Sequence, residues 1–287
     1  MAKRQRKYRL EIEDVYQGKV TIDPPFTIEF DIEKQLISKL ANGSITVYNL
    51  SETTRNLIYK DPIQTTLSKL RLVELYAGYE DDQVLSKIFS GTISHCYSRR
   101  QGVDFFTVIN VNSGSDNLAN SYVSLNVPKD TSIYNYMANI AYQINPKARR
   151  IIGNFEGKFK REVQVSGYAD KLIQDYSGGH FFIDGDTILI MNEEEAFKGV
   201  VNLIDAESGL LGSPQREDNF LLFDMIFEPR LLLGQYLSLQ SSSVGYFNGV
   251  YKVIGYKHVG TISEAVCGDA KTTVRLQYLG ANFKEVF

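Results

Sequence analysis

Residues 249–260 read GVYKVIGYKHVG, and an earlier stretch, IFSGTISHCYSR at 88–99, is built the same way. Each is an apolar-rich strand pattern ending near a histidine, His258 in one and His95 in the other. Their flanks match too. LVELYAGY (72–79) precedes the earlier stretch and DFFTVINV (104–111) follows it, while QYLSLQSS (235–242) and TTVRLQYL (272–279) bracket the later one. A strand, a glycine-marked loop, a strand, a second loop and a closing strand therefore occur twice. Self-similarity of this kind marks one supersecondary unit used twice. The pattern predicts two related β-units in one chain.

Outward from the first copy, residues 8–112 read as short strands with polar turns and one short helix. YRLEIEDVY alternates, with Leu10 and Ile12 on one face. FTIEFDIEK sets Phe26, Ile28 and Phe30 against Thr27, Glu29 and Asp31, after a Pro24-Pro25 entry turn. Asn42-Gly43 reads as a turn before SITVYNL. In SETTRNLIYKDP, Ser51 caps a helix, Glu52 suits its positive end and Asp61-Pro62 closes it. Residues 113–200 change character. Ile133, Tyr136, Met137, Ile140, Ala141 and Ile144 form one helical face, capped by Asp130 or Thr131 and closed by Asn145-Pro146. GYADKLIQDYS predicts a second helix, ended by Gly178-Gly179, and HFFIDGDTILIM a hairpin around Asp184-Gly185-Asp186. Residues 201–287 return to strands, with Gly245, Gly249 and Gly260 marking turns. Three units follow: 1–112 and 201–287, both β, around an α/β unit at 113–200. Residues 201–230 are free to complete the first β-unit instead.

Composition bounds the function. The chain has 287 residues, 43% hydrophobic, with 18 Tyr, 16 Phe, no Trp and a net charge of −3. That supports a sizeable core rich in strands. Cys96 and Cys267 lack metal or redox spacing, so free thiols in a reducing compartment are expected. No apolar run reaches the ~20 residues of a membrane helix, and the basic start, with Lys3, Arg4, Arg6 and Lys7, has no apolar segment of a secretory signal. Synthesis in a cytoplasm and no stable membrane insertion are expected. His95, His180 and His258 have no partner at ligand spacing. Asp184 and Asp186 with Glu193, Glu194 and Glu195 offer hard-cation chemistry, but Asp-Gly is what a tight hairpin needs. Nucleophile elbows, phosphate loops and zinc-protease motifs are absent. The reading is no enzyme, no cofactor and no metal. Acidic strands such as FTIEFDIEK argue against a barrel-type nucleic-acid-binding module. The third class weighed, a tail-associated cell-wall hydrolase, needs a catalytic pair that nothing singles out.

The order of the motifs carries more than any one of them. IEFDIEK leads into GSITVYNLSETTRNLI, then LYAGY and IFSGTI; later come SGLLGSPQRED, IFEPRLLLGQYLSLQ and FNGVYKVIGYKHVG. This series resembles the baseplate hub proteins of contractile bacteriophage tails, which are similar to the base of type VI secretion spikes and to tail-like bacteriocins. The resemblance implies an α+β, β-rich fold: two related small tube-type β-barrel domains with a small α/β domain between them. It also implies a homotrimeric ring with pseudo-six-fold symmetry. Such a ring joins a hexameric tail tube to a trimeric tail spike, contacts other baseplate proteins, and passes DNA transiently through its channel. The expected location is the virion, in the tail baseplate. Gly209, Leu210, Gly212, Ser213, Pro214 and Arg216 carry the family-like GLxGSPxR stretch, with Pro229 and Gly234 in the next turn. GSPQRED itself (212–218) reads as a turn or a connector at a seam, and Leu231, Leu232 and Leu233 as candidate interface residues.

Overall fold

The computed structural model describes residues 5–14, 18–36, 41–60, 71–113, 122–177, 181–184, 187–264, 268–279 and 283–286. The first part runs β1 (Arg6–Asp14), β2 (Gly18–Ile22), β3 (Ile28–Gln35), β4 (Asn42–Tyr48), α1 (Glu52–Ile58), β5 (Arg71–Tyr79), β6 (Ser86–Gln101) and β7 (Asp104–Asn112). The middle holds β8 (Tyr122–Val127), α2 (Ile133–Ile144), β9 (Arg149–Ile152), β10 (Val163–Tyr168), α3 (Ala169–Ser177), β11 (Phe181–Asp184) and β12 (Thr187–Ile190). The last part holds β13 (Glu195–Ile204), β14 (Leu210–Glu217), β15 (Phe220–Ile226), β16 (Gln235–Leu239), β17 (Gly249–Ile262), β18 (Ala270–Tyr278) and β19 (Lys284–Val286).

The duplicated motif is a duplicated topology. In the first part the strands lie in the order β3-β4-β7-β6-β5, and in the last part β14-β15-β18-β17-β16, all antiparallel. The repeat is longer than the sequence shows, since each meander is preceded by a hairpin that pairs with its closing strand. Even the irregularity recurs. The middle strand slips register between Ile93 and His95 against β7, and between Val253 and Gly255 against β18. Such bulges bend a strand and sharpen its twist. The hairpin β14–β15, which the sequence leaves free to join either unit, pairs with β18.

The two sheets are continuous. β17 pairs with β16 through residues 249–252, then with β3 through residues 255–262. Among the described residues, fourteen strands thus share one sheet. Alternation puts Ile28, Phe30 and Ile32 of β3 inside, with Phe223 and Met225 of β15 and Val274 and Leu276 of β18, in one connected apolar core. A smaller core lies under α2 and α3. The hairpin β11–β12 serves both: Phe182 and Leu189 enter the large core, while Phe181, Ile183, Ile188 and Ile190 enter the small one. That is why its sequence is apolar on both faces.

Several local expectations change. Asn42-Gly43 is strand, not turn: Gly43 pairs with Ile32 and Val111, whose side chains lie 3.2 Å from where a Cβ would sit. Gly249 and Gly260 are also strand residues; a Cβ on Gly260 would lie 2.4 Å from that of Ala270. In all three cases glycine marks a strand rather than a reversal, and at Gly43 and Gly260 it also allows close strand approach. The α2 cap is Ser132, whose hydroxyl accepts the Asn135 N–H at 3.2 Å. Asp130 stands outside the helix with φ 67°. Ser51 does cap α1, whereas Asp61-Pro62, Gly178-Gly179 and Gly185-Asp186 lie outside the described residues.

Candidate functional site: a charge-paired sheet face

The face of the long sheet opposite its core crosses both repeats. Ile226, Lys271, Val259, Asp31, Ser44 and Asn110 lie side by side on six successive strands. The next row is Asp224, Thr273, Lys257, Glu33, Asn42 and Asn112. A cleft of about 750 Å³ opens on this face, lined among others by Glu29, Asp31, Ser44, Thr46, Thr261 and Lys271. Ser, Thr and Asn fill five of the twelve positions in these rows and charged residues another five, most of them matched. Lys257 meets Asp31 at 2.9 Å, Lys271 meets Asp224 at 2.8 Å and Arg275 meets Glu217 at 2.8 Å. The Tyr48 hydroxyl donates to Glu29 at 2.5 Å and the Gln35 amide to Glu33. Burial alone would raise the Asp224 carboxyl, but hydrogen bonds from Lys271 and Thr273 hold it below the usual range. Carboxylates outnumber cations here. The surface therefore offers a passing polyanion few free positive charges.

Beneath this face, where the repeats join, polar groups are buried. His258 on β17 is fully enclosed, its Nδ1 2.9 Å from the Thr272 hydroxyl, which also accepts the Glu228 N–H at 3.0 Å. Desolvation, with the like charge of Lys34, lowers the imidazole to about 3, so it is neutral. Glu228 forms a two-pronged pair with Arg230 at 2.8 and 2.9 Å. A second buried group ties the middle part to the sheet. Glu195 accepts the backbone N–H groups of Asn154 (2.7 Å) and Asn192 (2.8 Å), while Lys252 donates to the Asn192 carbonyl at 3.0 Å. Desolvation lowers Lys252 to about 8, against the pull of Glu195 and Glu193.

The signature residues separate into two places. Gly209 (φ 109°) immediately precedes β14, and Leu210, Gly212 (φ 68°), Ser213, Pro214 and Arg216 lie in it; β14 is an outer strand that, among the described residues, pairs only with β15. GSPQRED is therefore a bulged strand rather than a turn: the register slips between Leu211 and Gln215, at Gly212 to Pro214. Proline is tolerated there because an outer strand needs no partner for it. Ser213 bonds Ser243 at 2.9 Å, and Arg216 lines a groove with Tyr246, Tyr251 and Tyr278. Pro229 and Gly234 (φ 80°) sit instead in the buried link from β15 to β16, where a Cβ on Gly234 would meet Leu189, Met191 and Phe197 at 3.0–3.2 Å. Leu231 and Leu233 point into the core and Leu232 is exposed, so only the last is available to a partner.

No group of three or more His, Cys, Asp or Glu is placed to hold a metal among the described residues. Glu195 is spent on backbone N–H groups and Glu193 on Gln277. Cys96 is buried and free, its thiol raised to about 12 by desolvation; Cys267 and His180 lie outside the described residues. Of the basic start, Arg6 donates to the Gly268 carbonyl and Lys7 pairs with Glu80 at 3.2 Å. No helix among the described residues is long and apolar enough to cross a membrane.

The fold is shared by proteins with almost no sequence identity. A tail protein of Neisseria meningitidis MC58 superposes with a TM-score of 0.59 at 9% identity, over 94% of this chain and 96% of that one. The 43 kDa tail protein of prophage MuSo2 from Shewanella oneidensis gives 0.57 at 6% identity, over 94% and 97%. A type VI secretion component of E. coli, described as similar in structure to the T4 phage tail proteins gp27 and gp5, gives 0.55 at 10%, over 95% and 80%. No curated protein matches in sequence. The fold is thus that of phage tail and type VI secretion components. Within that class, the family model "Baseplate hub gp41" matches residues 9–259, and the chain belongs to the baseplate hub gp41 family.

Proposed function

We propose that this structural hub protein is a trimeric adaptor in a contractile phage tail, joining a hexameric tail tube to a trimeric central spike. The duplicated five-strand order carries the reading. Two like units per chain and three chains make six like units, which match a six-fold tube on one side while the three-fold axis matches a spike on the other. In this reading each unit curls into a small barrel, and the charge-paired face lines a channel through which DNA passes. Unpaired lysines there would hold phosphate, and pairing them removes that attraction. The protein acts without catalysis, resides in the virion baseplate and is made in the host cytoplasm. The likeness to a type VI secretion component supports a second reading, the hub of a tail-like bacteriocin or injection machine.

Native mass spectrometry at low micromolar concentration, with negative-stain images of the same sample, tests the proposal. A three-copy ring with a central hole is expected. A chain that stays monomeric alone and beside its spike would refute it.

A further inference from the structure

Arg216 stands where the core of the second repeat ends. It shares a row with Leu221, Leu276 and Val253, so its side chain is on the core side of the sheet, on the outer strand. Two residues further along the strands, Tyr278 pairs with Tyr251, and their rings meet edge-on at 5.6 Å. The short turn Gly245–Phe247 covers this end and brings a second aromatic pair, Tyr246 and Phe247, at 4.5 Å. Between the two pairs lies a groove of about 400 Å³, which Asn219 and Asn248 also line. That volume is at the lower end of the ~300–1,000 Å³ of small-ligand sites, and strand ends of this kind often hold them. Tyr246 and Tyr278 are 82% and 61% exposed. No carboxylate and no lysine line the groove among the described residues. Arg216 has no ion pair there, and Asn219 no side-chain hydrogen bond. Glu217, its neighbour in sequence, is held by Arg275 at 2.8 Å. Burial raises the Tyr251 hydroxyl and the charge of Arg216 opposes the rise, which puts the guanidinium near that ring. Asn248 spends its Oδ1 on the Ser241 N–H at 2.7 Å, leaving its Nδ2 to donate.

We propose that this groove binds a saccharide ring that carries a carboxylate, as a hexuronic acid does. The proposal goes beyond the hub reading and does not depend on it. Each part of the ligand answers a part of the groove. The electron-rich faces of exposed tyrosines pack against the C–H face of a pyranose. A guanidinium without a partner grips one carboxylate through two parallel hydrogen bonds. The two asparagine amides suit ring hydroxyls. A single cation and no cluster of backbone N–H groups is a poor phosphate site. A nucleic-acid strand would need cations spaced along its backbone. A protein partner would need an interface of ~800 Å² rather than a pocket the size of one or two rings.

The test is ligand-observed NMR on the purified full chain with glucuronic acid, glucose and the α-amide of N-acetylglutamic acid. Glucuronic acid should bind and glucose should bind about ten-fold more weakly, since only the charge-assisted bonds differ. Arg216→Met should bring glucuronic acid down to the level of glucose. Tyr246→Ala should weaken both, and Arg161→Met, at an exposed position elsewhere, should change neither. Both groove residues are exposed, so the fold should survive, which thermal melts of the variants check. A uronic trisaccharide is run in parallel: tighter binding than the monosaccharide identifies a polymer end and equal binding a free acid, and either supports the site. Equal binding of glucose and glucuronic acid overturns the proposal, as does glucuronic acid binding that Arg216→Met leaves unchanged. Equal binding of the glutamate derivative overturns it in favour of an acidic protein segment. No binding at all overturns it outright. None of these results bears on the three-copy ring, which native mass reads separately.

Discussion

Replacing His258 by leucine is expected to flatten the acid limb of the protein's stability curve. The imidazole sits at the join of the two repeats, fully buried, and desolvation lowers it to about 3. In the unfolded chain a histidine titrates near ~6.5. Below pH 6.5 the unfolded state therefore takes up a proton that the folded state refuses. Stability is intact above 6.5 and falls as pH drops from 6.5 towards 3. The slope is about 1.4 kcal/mol per pH unit, so this one group removes about 2 kcal/mol between pH 6.5 and 5. Other acid-sensitive groups, such as the paired carboxylate of Asp224, act alike in wild type and variant and cancel in the difference. The assay is urea unfolding, followed by circular dichroism and tyrosine fluorescence, at pH 7.5, 6.5, 5.5 and 5.0. Leucine leaves the Thr272 hydroxyl its bond from the Glu228 N–H. If wild type and His258→Leu lose the same stability between pH 6.5 and 5, the neutral buried imidazole is wrong.

Lys252 predicts the opposite limb. Its depressed folded value of about 8, against ~10.4 unfolded, means stability rises from pH 8 to 10 by up to about 3 kcal/mol, and Lys252→Met should abolish that rise in alkaline unfolding titrations. Gly260→Val should cost ~1–3 kcal/mol by overpacking against Ala270, read as a lower urea midpoint at unchanged slope. Gly209→Ala should cost ~1–3 kcal/mol, because alanine resists φ 109° and its Cβ would lie 2.2 Å from Ile226; a neutral thermal melt would contradict the geometry. Asp31→Lys/Asp224→Lys should give the chain salt-sensitive binding of a labelled oligonucleotide that wild type lacks at 150 mM salt. Equal binding by both would undo the charge-pairing argument.

Much of the fold was legible because strands facing one core alternate, and β3 and β15 do so without interruption. The helices were legible from their patterning and caps, and α2 also from one apolar face and a proline stop. Glycine and proline were less informative. They signal a reversal in one context and a bulge or close strand approach in another, and only the partner strand decides. Gly43 and Gly212 were misread for that reason. The candidate face was illegible for a stronger one. Asp31 and Lys257 are far apart in sequence, and nothing local to either shows that β17 runs on from β16 to pair with β3. Glu195 likewise read only as one of three consecutive acids with hard-cation chemistry, because the backbone N–H groups of Asn154 and Asn192 that it accepts are brought to it by the fold.

Two of the buried polar groups, Lys252 and His258, lie where the chain must choose a register. Others lie elsewhere, Arg71 on β5 and Thr107 on β7 among them, but a strand whose inward set is apolar tolerates slippage if that set is preserved. β17 has two partners on the same edge, β16 for residues 249–252 and β3 for residues 255–262, so a slip in one pairing would carry into the other. Lys252 marks the first pairing and His258 the second. Each has a directional partner that a two-residue slip of β17 itself would remove: the Asn192 carbonyl for Lys252 and, across the β17–β18 pairing, the Thr272 hydroxyl for His258. A slipped strand would leave an ammonium or an imidazole buried without its bond, at ~1–3 kcal/mol or more each. These groups add little net stability in the native state, since desolvation offsets their bonds. Their effect is on the competing arrangements. A sheet face whose charge pairing depends on matching Asp31 to Lys257 across β17 and β3 requires that register to be unique.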